Sequence, residues 1–168
     1  MQEHDLVADF TLQNEQGATI HLSDFTGRPV VLFFYPKADT PGCTIEACGF
    51  RDIFATIQKT GAVVLGISRD TPQSQKKFKD KYKLPYTLLA DVDEVVCKQF
   101  DVLKEKNMYG KKVIGIDRTT FLIGPDRRLL RVFPKVKPEG HAEEVLAAIE
   151  ESKAAGAGVA SSAVSSKA

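Results

Sequence analysis

Residues 29–57 read PVVLFFYPKADTPGCTIEACGFRDIFATI, and the hydrophobic period changes within them. Pro29 to Tyr35 is a continuous apolar run, as expected of a strand covered on both faces. From about Thr44 to Lys59 the pattern is helical, with Phe50, Ile53, Phe54 and Ile57 at i, i+3, i+4 and i+7. Ala62 to Ser68 is a second buried strand. A strand, a helix and a strand in that order predict parallel neighbours joined by a right-handed crossover, with Val30 and Val63 alongside.

Outward from this unit the same kind of reading continues. Phe10–Leu12 and Thr19–Leu22 flank an Asn14–Gly17 turn and predict an N-terminal hairpin. A lysine-rich helix is expected from Pro72 to Tyr82, a strand over Tyr86–Ala90 and a short helix over Glu94–Phe100. Thr119–Ile123 and Leu129–Phe133 form a hairpin around Gly124–Arg127, and a helix from Glu139 to Ser152 closes the domain. The fold class is therefore α/β, a central mixed sheet flanked by helices. One domain is expected over 1–152. The Ala-, Gly- and Ser-rich remainder, 153–168, has little large apolar surface and is expected to be a mobile tail.

Composition narrows the function classes. The chain has 168 residues and 23 basic against 22 acidic side chains, a net charge of +1, so no electrostatic case arises for nucleic acid or an anionic membrane. The basic run Lys76–Lys81 reads as the solvated face of a helix. No apolar run approaches a membrane span, and MQEHDLVADF lacks the layout of a signal peptide. An intracellular, cytoplasmic setting is expected, or an organelle if a presequence has been removed. Three cysteines are too few for a disulfide scaffold, and His4, His21 and His141 show no metal-ligand spacing, so neither a metal nor a cofactor is expected.

The chemistry gathers where the first buried strand passes into its helix. Cys43 falls at the helix N-terminus, where unpaired N–H groups and the positive end of the dipole favour thiolate, the nucleophilic form. The Thr40 hydroxyl can turn toward the sulfur or toward an approaching oxygen, or merely cap the helix. Pro36 and Pro41 fix φ at two positions, and Gly42 permits close approach. With Phe50 as the centre of the buried stripe, Cys43 lies about 20° away and Cys48 about 160°, with Cα atoms roughly 8.6 Å apart in an ideal helix. That exceeds the ~7 Å reach of a disulfide. Either the two never bond, or bonding requires the first turns to unwind. Glu46, about 40° from the stripe centre, needs a cationic partner. Arg118, directly before the Thr119–Ile123 strand, is the expected cation for the thiolate.

These residues carry a resemblance. Pro36–Cys43 resembles the Pro-x-x-x-Thr-x-x-Cys signature of peroxiredoxins, and Cys43-Thr44-Ile45-Glu46-Ala47-Cys48 is similar to the bacterioferritin comigratory protein, or peroxiredoxin Q, branch. Gly66-Ile67-Ser68, Tyr86–Asp91 and Arg118–Ile123 match as well, so that the resemblance spans about residues 6–150. It implies a thioredoxin-like fold and a thiol peroxidase acting on hydrogen peroxide and organic hydroperoxides without metal or haem. By position it makes Cys43 the peroxidatic cysteine, with Pro36, Thr40, Gly42 and Arg118 around the substrate, Glu46 in support and Cys48 as the resolving thiol. An intramolecular Cys43–Cys48 disulfide would then be recycled by thioredoxin or a similar dithiol, and a monomer would suffice.

Two departures stand out: Asp126-Arg127 where the family often has Asp-Gly, and an entry segment Leu6–Phe10 without the usual Gly and Pro. Cys97 reads as an inert packed thiol, with an alternative resolving role as its rival. The same thiols would also serve a redox-regulated sensor or chaperone-like binding protein. A protein disulfide oxidoreductase is the weaker reading, because a CxxC pair is absent.

Overall fold

The structure, a computed structural model, describes residues 1–163, and only the backbone of Met108 and of 155–163. Its centre is the apolar strand β3 (Val30–Phe34), buried at every position. Alternation along β3 and Tyr35 divides the interior into two cores. Val31, Phe33 and Tyr35 enter one, with Cys43, Phe50, Phe78 and Val145. Val30, Leu32 and Phe34 enter the other, with Leu22, Cys97, Phe100 and Ile116.

Around β3 the sheet has seven strands, formed with β1 (Thr11–Asn14), β2 (Thr19–His21), β4 (Val63–Ser68), β5 (Thr87–Ala90), β8 (Thr119–Ile123) and β9 (Leu129–Phe133), in the order β2-β1-β5-β4-β3-β8-β9. β3, β4 and β5 are parallel, with Val30 opposite Val63 as the crossover rule requires. β8 lies antiparallel on the other side of β3, pairing Phe34 with Thr119. That register brings the residue before β8 to the end of β3 where the chain leaves the sheet. Gly66 of β4 keeps this layer close, since a Cβ there would stand 2.9 Å from both Leu88 and Phe33.

The helices are α1 (Pro41–Asp52), α2 (Phe54–Lys59), α3 (Pro72–Tyr82), α4 (Val95–Gln99) and α5 (His141–Ala163). Three boundaries differ from the sequence reading. The first helix begins at Pro41 because extended Thr40 serves as N-cap and proline suits the first helical position. It breaks at Ile53, whose φ of −113° and ψ of 14° leave the helical region. α5 continues through Ala163, across the start of the expected tail, and alanine's high helix propensity accounts for the extension. The rest of that expected tail, 164–168, lies outside the described residues.

A third hairpin, β6 (Leu103–Met108) and β7 (Lys111–Ile116), escapes the sequence reading. Its strands are largely polar and exposed, so no hydrophobic period marks them. Its turn uses Tyr109 and Gly110, both at positive φ, the geometry that Asn-Gly more often announces. Arg127 likewise adopts φ 63° in the β8–β9 turn, a conformation that favours glycine.

Candidate active site

The loop between β3 and α1 is pinned from α3 and from the end of β4. Ala38 N–H donates to Asp70 Oδ2 at 2.8 Å, and Asp39 accepts from Lys81 Nζ at 2.9 Å and Tyr82 Oη at 2.7 Å. Pro36 is half-buried where the chain leaves the sheet. Thr40 donates its hydroxyl hydrogen to Lys37 O at 2.8 Å and makes no side-chain cap. The Thr40 oxygen therefore keeps lone pairs for an incoming O–H group.

Cys43 is the third residue of α1 and is 1% exposed. The helical ladder starts with Thr44 N–H donating to Thr40 O at 2.9 Å, so the sulfur sits in the turn whose N–H groups have no intrahelical acceptor. Arg118 reaches it from the start of β8, with Nη1 3.5 Å from Cys43 Sγ. The same Nη1 donates to Glu46 Oε1 at 2.8 Å. Burial works against the guanidinium charge, but Glu46 and Cys43 outweigh it and hold Arg118 above its ordinary value. Gly42 supplies the space: a Cβ there would lie 2.9 Å from Arg118 Nη2. The sequence-predicted residues Pro36, Thr40, Gly42, Cys43, Glu46 and Arg118 thus line one junction.

Cys48 lies elsewhere on α1, half-buried, and all three cysteines are free thiols. Burial pushes the Cys48 thiol up, with Arg51 opposing and Asp52 adding to the rise. Two contacts hold this part of the helix folded: Tyr86 Oη donates to Ala47 O at 2.6 Å, and Arg51 Nη1 donates to Tyr82 O at 2.8 Å. Cys97 is on the far side of the sheet, fully buried. Its thiol is pushed well up by burial, reinforced by the Asp91 carboxylate.

Behind Arg118 the structure adds a residue that sequence reasoning set among scattered histidines. His141 is buried, its ring met edge-on by Phe50 and Phe133. Nε2 is 2.8 Å from Thr120 Oγ1, and Nδ1 is 2.9 Å from Glu144 Oε1. The available signal was helical: His141, Val145, Ala148 and Ile149 form one buried stripe at i, i+4, i+7 and i+8. Burial lowers the His141 pKa, with Glu144 opposing and Arg118 adding to the fall. For Glu46 burial is again the larger cause, and despite Arg118 it raises the carboxyl to about 7.

Comparison with known proteins finds similar chains. The sequence model described as the AhpC/TSA family matches residues 4–132. The bcp protein of Coxiella burnetii is 53% identical over 137 residues, 82% of this chain and 91% of that protein. Peroxiredoxin Bcp of Bacillus subtilis is 43% identical over 143 residues, 85% of this chain and 91% of its own. Among solved structures, a cysteine mutant of Xylella fastidiosa PrxQ superposes with a TM-score of 0.87 at 39% identity, covering 91% of this chain and 98% of that one. The Xanthomonas campestris bacterioferritin comigratory protein, studied for alkyl peroxide reduction, gives 0.82 at 42% identity, covering 85% and 91%.

Proposed function

The chain belongs to the AhpC/TSA family, in its bacterioferritin comigratory protein or peroxiredoxin Q branch, and is a thiol peroxidase; from that premise we propose that Cys43 is its peroxidatic cysteine and Cys48 its resolving one. The observation that carries the reading is the Arg118 Nη1–Cys43 Sγ contact of 3.5 Å in the first turn of α1. A guanidinium and unpaired N–H groups stand together where the sulfur must attack and charge must be balanced.

In the first step the Cys43 thiolate attacks the terminal oxygen of a hydroperoxide and the O–O bond breaks. The leaving oxygen takes a proton and departs as water or alcohol, and Cys43 is oxidised to a sulfenic acid. Arg118 stabilises charge on the leaving oxygen, and the Thr40 oxygen accepts from the peroxide hydrogen. The first turns of α1 then unwind, the Cys48 sulfur bonds to Cys43, and water leaves. A dithiol, thioredoxin or a similar one, supplies two electrons by exchange and restores both thiols. Both cysteines lie on one helix, so a monomer is the working unit, in a cytoplasmic setting. Among the described residues no helix is long and apolar enough to cross a membrane.

Two variants test the assignment. Cys43→Ser is expected to abolish peroxide consumption, and near-normal turnover by it would overturn the mechanism. Cys48→Ser should still yield a sulfenic acid, trapped by dimedone and read by mass spectrometry, while losing turnover with thioredoxin. If Cys97→Ser alone stops disulfide formation, the resolving assignment is wrong.

A further inference from the structure

One nitrogen, Arg118 Nη1, serves two acidic groups, Cys43 Sγ and Glu46 Oε1. If both are ionised, two negative charges face one buried positive charge. The other carboxyl oxygen, Glu46 Oε2, is fully buried and has no hydrogen-bond partner. Across the gap His141 Nε2 stands 4.0 Å away, beyond hydrogen-bond reach.

The tautomer follows from the contacts. Ionised Glu144 can only accept, so His141 Nδ1 carries the hydrogen between them, and neutral His141 leaves Nε2 as an acceptor for the Thr120 hydroxyl. In that state nothing donates to Glu46 Oε2, and an ionised carboxylate would leave a charged oxygen orphaned. A single proton removes the conflict in either of two places. On Oε2 it makes Glu46 neutral. On Nε2 it makes His141 a cation facing the carboxylate, with the Thr120 hydroxyl turning to accept.

We propose that Glu46 and His141 hold one proton between them behind Arg118, and that this proton directs the guanidinium charge to the Cys43 sulfur, making His141 a positioning residue for peroxide reduction. With the proton present the pair is neutral overall and the thiolate alone balances Arg118. Once pH rises far enough to remove it, Glu46 claims Arg118 and opposes ionisation of Cys43. By linkage, forming the thiolate strengthens the pair's hold on its proton.

The charged and titratable groups around the pair are few. Cys43 on α1 shares Arg118 with the pair, Arg118 faces it from the start of β8, Glu144 from α5 and the buried Tyr86 hydroxyl from just before β5. A surface cleft of about 510 Å³, rimmed by Arg131, Lys135, Lys137 and Glu139, opens over Glu144 and His141. Glu144, half-exposed, thereby joins the buried ring to solvent and offers the proton a route.

The proposal rests on the peroxidatic reading of Cys43, but its test reads thiol ionisation and not turnover. The ultraviolet absorbance of the Cys43 thiolate, taken as the difference from Cys43→Ser, is titrated with pH in the full-length protein. His141→Gln offers Glu46 a permanent amide donor and cannot take up a proton. It should raise the midpoint of Cys43 ionisation by about half a unit or more, roughly a threefold change in the ionisation constant. His141→Leu offers no donor and keeps Glu46 dry and protonated, so it should leave the midpoint unchanged or lower it. In the Glu46→Gln background neither substitution should shift it. Shifts of equal size with and without the Glu46 carboxyl, or an upward shift in both His141 variants, would overturn the proposal. Should His141→Leu fail to fold, the comparison of His141→Gln across the two backgrounds still decides. Loss of the peroxidase assignment would appear separately, as peroxide consumption by Cys43→Ser.

Discussion

Gly42 matters for what its missing side chain leaves open. Its backbone is not at positive φ, so an alanine there would fit the chain and be felt at Arg118, 2.9 Å from the new Cβ. Gly42→Ala is expected to slow peroxide reduction about tenfold or more, with circular dichroism and melting temperature little changed. A stopped-flow peroxide assay on the folded variant checks it.

Glu46 gives a second prediction at this scale, in stability. In the folded protein burial raises the Glu46 carboxyl to about 7, whereas the unfolded chain titrates near the ordinary 4.5. Stability from this group is therefore greatest at low pH and is lost as pH rises from 4.5 through 7, on the order of 3 kcal/mol across the window. Buried His141, lowered below its ordinary value, acts in the opposite sense as pH falls below 6.5. Subtracting the pH profile of Glu46→Gln from that of the wild type isolates the Glu46 part. Melting temperatures between pH 4.5 and 7.5 should show the wild type gaining on the variant as pH falls.

Helix α1 has to be stable with one thiol at its start and another, part-exposed, five positions on. In the reduced fold the Tyr86 hydroxyl and the Arg51 guanidinium tie it to neighbouring chain, and the break at Ile53 isolates it from α2. Unwinding toward a Cys43–Cys48 disulfide must release at least the Ala47 carbonyl. Tyr86→Phe removes that tie while keeping the ring that packs on Phe33. The expected cost is about 1 kcal/mol of stability, together with faster hydrogen exchange in Pro41–Asp52 and faster disulfide formation after one equivalent of peroxide. Unchanged exchange in α1 would show that the tie does not restrain it.

Across the whole molecule the sheet is the divider. Cys43 and Cys97 belong to cores on opposite faces, so no local unwinding of α1 brings them together. Cys97→Ala should cost about 1 kcal/mol and leave peroxide turnover intact, with mass spectrometry still mapping the oxidised bond to Cys43 and Cys48.

The balance between sequence and structure follows from range. Strand β3, the parallel pairing of Val30 with Val63, helix α3 and the β8–β9 hairpin were legible, because apolar period, proline position and crossover handedness act over short stretches of chain. The cysteine junction was legible for the same reason: Thr40, Gly42, Cys43 and Glu46 fall within one short stretch of chain, and a buried acid announces its need of a cation. Arg118 was expected on chemical grounds, but its place at Cys43 depends on the pairing of Phe34 with Thr119, a contact between distant segments. His141 was not found at all, since its role exists only where α5 packs behind β8. The polar β6–β7 hairpin was missed because cross-strand hydrogen bonds leave no hydrophobic period in sequence. By itself the sequence determined the elements that carry a hydrophobic period and singled out Cys43 as the candidate thiol. Only the tertiary structure decided which charges stand behind that thiol, because charge–charge contacts depend on distances that chain order does not set.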